Sequence, residues 1–103
     1  MSDPQSEMEN QKSNAPAVLV TGGSRGIGRG ICVSLAKIGW RIGVNYTSNA
    51  VAAQETLELV RQTGSTGEAV QGDVANTAQR KYLVDFMLQR FGRMDALINN
   101  AGV

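Results

Sequence analysis

The stretch AVLVTGGSRGIG, Ala17 to Gly28, decides how this chain folds. It begins as a compact apolar run, Ala17 to Gly23, the pattern of a strand buried on both faces of a parallel sheet. It then opens an amphipathic segment in which Ile27, Ile31, Leu35 and Ile38 form one helical stripe, with Gly39 placed to end it. Between strand and helix, TGGSRGIG (Thr21 to Gly28) sets glycines at 22, 26 and 28. Such glycines tolerate positive φ and leave no Cβ in the way of a close ligand. The helix that follows aims its free N–H groups and positive dipole end at the turn, so a pyrophosphate is its natural guest. A plain tight turn is the alternative, and the strand–turn–helix frame weighs against it.

Outward from this unit the pattern repeats. WRIGVNY (Trp40 to Tyr46) is a second strand centred on Ile42 and Val44. Asn49 can cap a helix whose inner face is Ala53, Leu57 and Val60, with Gly64 closing it. EAVQGDV (Glu68 to Val74) is a shorter third strand, and Asn76 with Gln79 resembles a capping box. The third helix turns Leu83, Met87 and Phe91 inward with Val84 and Leu88 beside them, and Gly92 stops it. DALINN, Asp95 to Asn100, is the fourth strand. The order β-α-β-α-β-α-β predicts an α/β fold, a doubly wound parallel sheet with right-handed crossovers.

Composition narrows the function. The chain has 103 residues, enough for one domain, and 42% hydrophobic with 18% charged residues is ordinary for a globular protein. A net charge of +1 argues against a nucleic-acid partner. With no His and only Cys32, a metal site has almost no ligands to draw on, and none is expected. No apolar run reaches the roughly 18–20 residues that span a bilayer, so no membrane association is expected. Residues 1–14, MSDPQSEMENQKSN, are polar, lack the order of a signal peptide and read as a disordered tail. Residues 15–103 form the folded part, and a cytoplasmic setting is expected.

Three motifs in register, TGGSRGIG, GDV and NNAG, resemble the short-chain dehydrogenase/reductase family, and the resemblance covers residues 17–103. SRGIG and VNY look most like its 3-oxoacyl-[acyl-carrier-protein] reductase branch, a likeness that implies a role in fatty acid biosynthesis. The resemblance implies a Rossmann-type sheet whose order begins 3-2-1-4, and a nicotinamide dinucleotide held by Gly22, Gly23, Ser24, Arg25, Gly26, Ile27 and Gly28. NAD sites of this fold carry an acid at the end of the second strand to hold the ribose hydroxyls. Here that segment is NYTSN, Asn45 to Asn49, with no acid before Glu55, which leaves room for a 2′-phosphate. NADP(H) is therefore the expected cofactor. By resemblance Arg25 and Thr47 take the 2′-phosphate, with Ser48 as helper; a solvated surface arginine is the other role open to Arg25. By resemblance too, Asp73 accepts from the adenine amino group while Val74 packs on the ring; a loop or cap carboxylate is Asp73's alternative. The resemblance also has Asn100, Ala101 and Gly102 line the ribose while the same motif ties the central sheet together; strand-end residues pairing with local backbone is the other role open to Asn99 and Asn100.

The remaining features read as structure. Cys32 and Trp40 are expected to pack, and Arg80, Lys81, Arg90 and Arg93 to form solvated helix surface.

The family's proton donor is a Tyr followed four residues later by Lys, with a Ser that positions the substrate. No such set occurs here: Tyr46 is followed at that distance by Ala50, and Tyr82 by Phe86. No catalytic residue is therefore assigned. The expectation is an N-terminal half whose fourth strand is an open apolar edge, able to hold the cofactor's adenosine end but inactive alone. Members of the family are commonly homotetramers, through helices of the other half. The alternative is a non-catalytic NADP-binding or interaction module completed by another chain.

Overall fold

The computed structural model describes residues 14–100. Seven elements alternate along it: β1 (Ala17–Thr21), α1 (Gly26–Lys37), β2 (Arg41–Tyr46), α2 (Ala50–Gln62), β3 (Gly67–Gln71), α3 (Thr77–Phe91) and β4 (Ala96–Asn99). The strands form one parallel sheet, as the alternation predicts, in the order β3-β2-β1-β4 that the family resemblance implies. Val20 of β1 is paired with Val44 of β2 on one side and Ile98 of β4 on the other. The chain steps outward from β1 to β3, then returns past β1 to β4. Right-handed crossovers consequently put α1 and α2 on one face and α3 on the other.

Each face has its own core. Val18, Val20, Ile42 and Val44 meet Cys32, Ala36, Ala53, Leu57 and Val60 of the first two helices. Ala17, Leu19 and Val70 meet Leu83, Met87 and Phe91 of α3. Burying each of these large side chains contributes about 1.5–3 kcal/mol. β1 is buried along its whole length, which explains its unbroken apolar run.

The stripe expected on α1 is corrected in part. Ile31 and Leu35 pack at the margin of the core, but Ile27 and Ile38 are 74% and 72% exposed. The buried face consists of Gly28, Cys32 and Ala36, small residues that let the helix lie close to the sheet. Cys32 is a core thiol, pushed up to about 12 by its burial. On α3, Leu83, Met87 and Phe91 are buried as expected, whereas Val84 and Leu88 are exposed. They share the α3 side of the sheet with Leu97, itself 52% exposed, beside the open edge of β4.

The helix ends follow local rules. Asn49 and Asn76 accept from the N–H groups of Ala52 and Gln79. The box at Asn76 is only half formed, because Gln79 Oε1 accepts from Asp73 N–H instead of turning back to its cap. Gly39, Gly64 and Gly92 close the three helices with positive φ.

At the amino ends of the strands, polar groups are matched. Arg41, 2% exposed, donates to the carbonyls of Ala15 and Phe91 and lies over the Phe91 ring. Asp95 accepts from Ala17 N–H at 2.9 Å and pairs with Arg93. Arg93 thus lies past the end of α3 and in an ion pair, not on the solvated helix surface expected for it. Arg80 and Lys81 are on that surface, whereas Arg90 is half-buried with its guanidinium over the Phe86 ring. Among the described residues no helix is long and apolar enough to cross a membrane, and no cluster of metal-ligating side chains occurs. Residues 1–13 of the expected tail lie outside the described residues.

Candidate functional site: the glycine turn and the carboxyl ends of the strands

Because all four strands run parallel, the segments that follow them emerge at one end of the sheet. TGGSRGIG follows β1 there. Gly22 and Gly26 have φ of 63° and 61°, a region that disfavours side chains. Gly28 has a different reason to be glycine: a Cβ there would run into the Gly22 carbonyl and come within 2.8 Å of Asn100 Nδ2. Gly23 is buried and donates its N–H to the Asn45 carbonyl at 3.0 Å. The turn is therefore folded tightly onto both neighbouring strands. α1 begins at Gly26 with no side-chain cap from Arg25, so its first N–H groups face the turn without a capping side chain among the described residues. An anion with several oxygens is what this cradle fits.

The segment after β2 emerges beside the turn, since β1 and β2 are paired. Thr47 and Ser48 are exposed there, and Thr47 is fixed through its carbonyl, which accepts from Gln71 Nε2. Arg25 and Ile27 are exposed at the turn itself. The Arg25 side chain makes no hydrogen bond or ion pair with the described residues, and no acidic residue lies in the segment after β2 to repel a bound phosphate.

Beyond β3, Asp73 is exposed and accepts from Ala75 N–H through Oδ1. It thus has the loop role of a turn carboxylate, while Oδ2 has no partner among the described residues. Val74 packs against the α3 core and lines a recess of about 170 Å³ with Leu19, Thr21, Leu97 and Asn99.

Beyond β4, Asn100 N–H donates to Thr21 Oγ1 at 2.9 Å and Asn100 Nδ2 donates to the Gly22 carbonyl at 3.2 Å. The asparagine pair therefore does tie the centre of the sheet together, binding β4 to the glycine turn. Ala101 and Gly102, expected to line the ribose, lie outside the described residues.

Three polar residues that sequence reasoning missed support this end. Asn45, 2% exposed, donates through Nδ2 to the carbonyls of Val70 and Gly72, fixing the β2–β3 exit. Arg29 and Thr56 link the turn to α1 and α2. Arg29 gives no sign of this in the pattern, since it falls between Gly28 and Gly30 on a helix surface; only the three-dimensional neighbourhood of α2 reveals it.

The comparisons agree with this geometry. The family model for the short chain dehydrogenases matches residues 16–103. A 3-oxoacyl-[acyl-carrier-protein] reductase of Staphylococcus aureus is 38% identical over 87 residues, covering 84% of this chain and 35% of the relative. A 1-cyclohexenylcarbonyl-CoA reductase of Streptomyces collinus is 46% identical over 83 residues, 81% of this chain and 30% of the relative. Among solved structures, a short-chain dehydrogenase/reductase from Burkholderia xenovorans superimposes with a TM-score of 0.84 at 31% identity, covering 89% of this chain and 38% of that one. The chain thus spans about a third of the length of the proteins it matches. With glycine turn, sheet order and family match in agreement, the chain belongs to the short-chain dehydrogenase family.

Proposed function

We propose that residues 15–103 are the N-terminal, cofactor-binding portion of an NADPH-dependent oxidoreductase that reduces a ketone to a secondary alcohol. The observation that carries this reading is the glycine cradle, with Gly28 pressed against Gly22 at the start of a helix that no side chain of the described residues caps. In it Gly22, Gly23, Ser24, Gly26, Ile27 and Gly28 surround the pyrophosphate. Arg25, Thr47 and Ser48 take the 2′-phosphate; the free guanidinium and the absence of a nearby acid support NADP over NAD. Asp73 meets the adenine amino group, Val74 its ring, and Asn100, Ala101 and Gly102 the ribose.

Bound NADPH supplies a hydride from its nicotinamide ring. The protein must add a proton donor beside the carbonyl oxygen, and these 103 residues contain no Tyr-x-x-x-Lys. On this reading the chain by itself binds the cofactor without turning over a ketone. The likeness to the acyl-carrier-protein and CoA reductases favours a 3-oxoacyl thioester as the substrate of the whole protein. A cytoplasmic setting fits the single cysteine, a free buried thiol.

Calorimetric titration tests the reading. The expected result is binding of NADP+ about tenfold or more tighter than NAD+, with no NADPH consumed when a 3-oxoacyl thioester is added. Preference for NAD+, or no binding, contradicts it. A second reading, a non-catalytic module completed by another chain, is favoured by Val84, Leu88 and Leu97 exposed beside the β4 edge. It predicts a stable, monodisperse chain that still binds NADP+.

A further inference from the structure

The carbonyl of Ser24 in the glycine turn accepts three hydrogen bonds from side chains. It accepts from Arg29 Nε at 3.2 Å, from Arg29 Nη2 at 2.8 Å and from Thr56 Oγ1 at 2.9 Å. Arg29 also donates from Nε to Thr56 Oγ1 at 2.9 Å and from Nη2 to the Ala52 carbonyl at 3.0 Å. Thr56 is fully buried, so this knot is anchored in α2. A point charge on a flexible stem could not fill the same place, because the contacts use two nitrogens of one planar fork.

The consequence falls on the next residue. A trans peptide sets its N–H opposite its C=O. With the Ser24 carbonyl drawn toward α2, the Arg25 N–H faces the other way, and the extended backbone of Arg25 (φ −159°, ψ 174°) starts from a fixed plane. Released, that peptide can rotate. Rotation would turn a carbonyl dipole toward the anion cradle and redirect the Arg25 side chain.

We propose that Arg29, together with Thr56, is a positioning residue for cofactor choice. It sets the Ser24–Arg25 peptide so that Arg25 meets a 2′-phosphate, and favours NADP over NAD without touching the dinucleotide. This inference rests on the assignment of Arg25 to the 2′-phosphate.

The test measures dissociation constants of NADP+ and NAD+ on the full 103-residue chain and on its variants, with a thermal melt of each. Arg25→Ala is expected to bring the ratio of the two constants close to one. Arg29→Lys, which keeps the charge, and Thr56→Val, which keeps charge and shape, should each lower the ratio by about five- to tenfold, mostly through weaker NADP+ binding. Thr56→Ser, which keeps the hydroxyl, should restore it. Adding Arg29→Lys to Arg25→Ala should change the ratio no further. A purely structural role would lower the melting temperature and leave the ratio alone, as would general loosening that weakens both dinucleotides equally; either result overturns the proposal. If Arg25→Ala shifts the ratio and neither Arg29→Lys nor Thr56→Val does, only the positioning role fails. If Arg25→Ala leaves the ratio intact, the assignment of Arg25 fails and the positioning role with it. Absence of binding to the unaltered chain defeats both.

Discussion

Arginines stand at both ends of the sheet, and they are used in opposite ways. At the amino ends, Arg41 is buried against the Ala15 and Phe91 carbonyls, and Arg93 is paired with Asp95. At the carboxyl ends, Arg25 is exposed with no partner among the described residues, beside a turn whose helix N–H groups lack a side-chain cap. Buried or closely held cations that are matched within the chain stabilise it; a cation left over at a glycine cradle is available to a ligand. The difference separates the end of the sheet that holds the fold together from the end proposed to hold the dinucleotide.

Substitutions at the two ends should therefore separate as well. The largest effect is expected from Gly28→Ala, whose new Cβ has to displace the Gly22 carbonyl. It should abolish measurable dinucleotide binding and lower stability by about 1–3 kcal/mol, read by calorimetric titration and urea unfolding. Arg41→Met, at the opposite end, leaves two carbonyls without their donor and should cost about 1–3 kcal/mol in urea unfolding. Its NADP+ to NAD+ ratio should stay unchanged. A shift in that ratio would mean that the two ends are not independent.

The smallest effect concerns Asp95. Its hydrogen bond from Arg93, then that from Ala17 N–H, hold its carboxyl below the usual carboxylate range. An acid depressed in the folded state contributes stability above its unfolded pKa and loses it as pH falls through the folded one. Asp95→Asn should accordingly flatten the acid side of the stability profile, modestly because the pair faces solvent. Dinucleotide binding should not change.

These ends were not equally legible in the sequence. Helix caps at Asn49 and Asn76 and the closing glycines are local devices, read from a few neighbouring letters. The parallel sheet follows from alternation and crossover handedness, its strand order from the family resemblance, and the glycine turn from its place between strand and helix. Arg41, Asn45 and the Arg29–Thr56 knot were not legible, because each depends on a partner 25 or more positions away, as Arg41 Nη1 to the Phe91 carbonyl does across 50. The misplacement of Ile27 and Ile38 has a packing cause. Their spacing marks large apolar residues, but α1 approaches the sheet through its small ones, Gly28, Cys32 and Ala36. Ile27 is left at the mouth of the glycine turn, where it was also expected as a cofactor contact.

The central claim is that the carboxyl end of this sheet is built for a dinucleotide bearing a 2′-phosphate. Parallel titration of the 103-residue chain with NADP+ and NAD+ at one ionic strength addresses it directly. The account predicts saturable binding of both, with NADP+ tighter by about tenfold or more and that advantage shrinking as salt is raised. Equal affinity for the two, or tighter binding of NAD+, would contradict it.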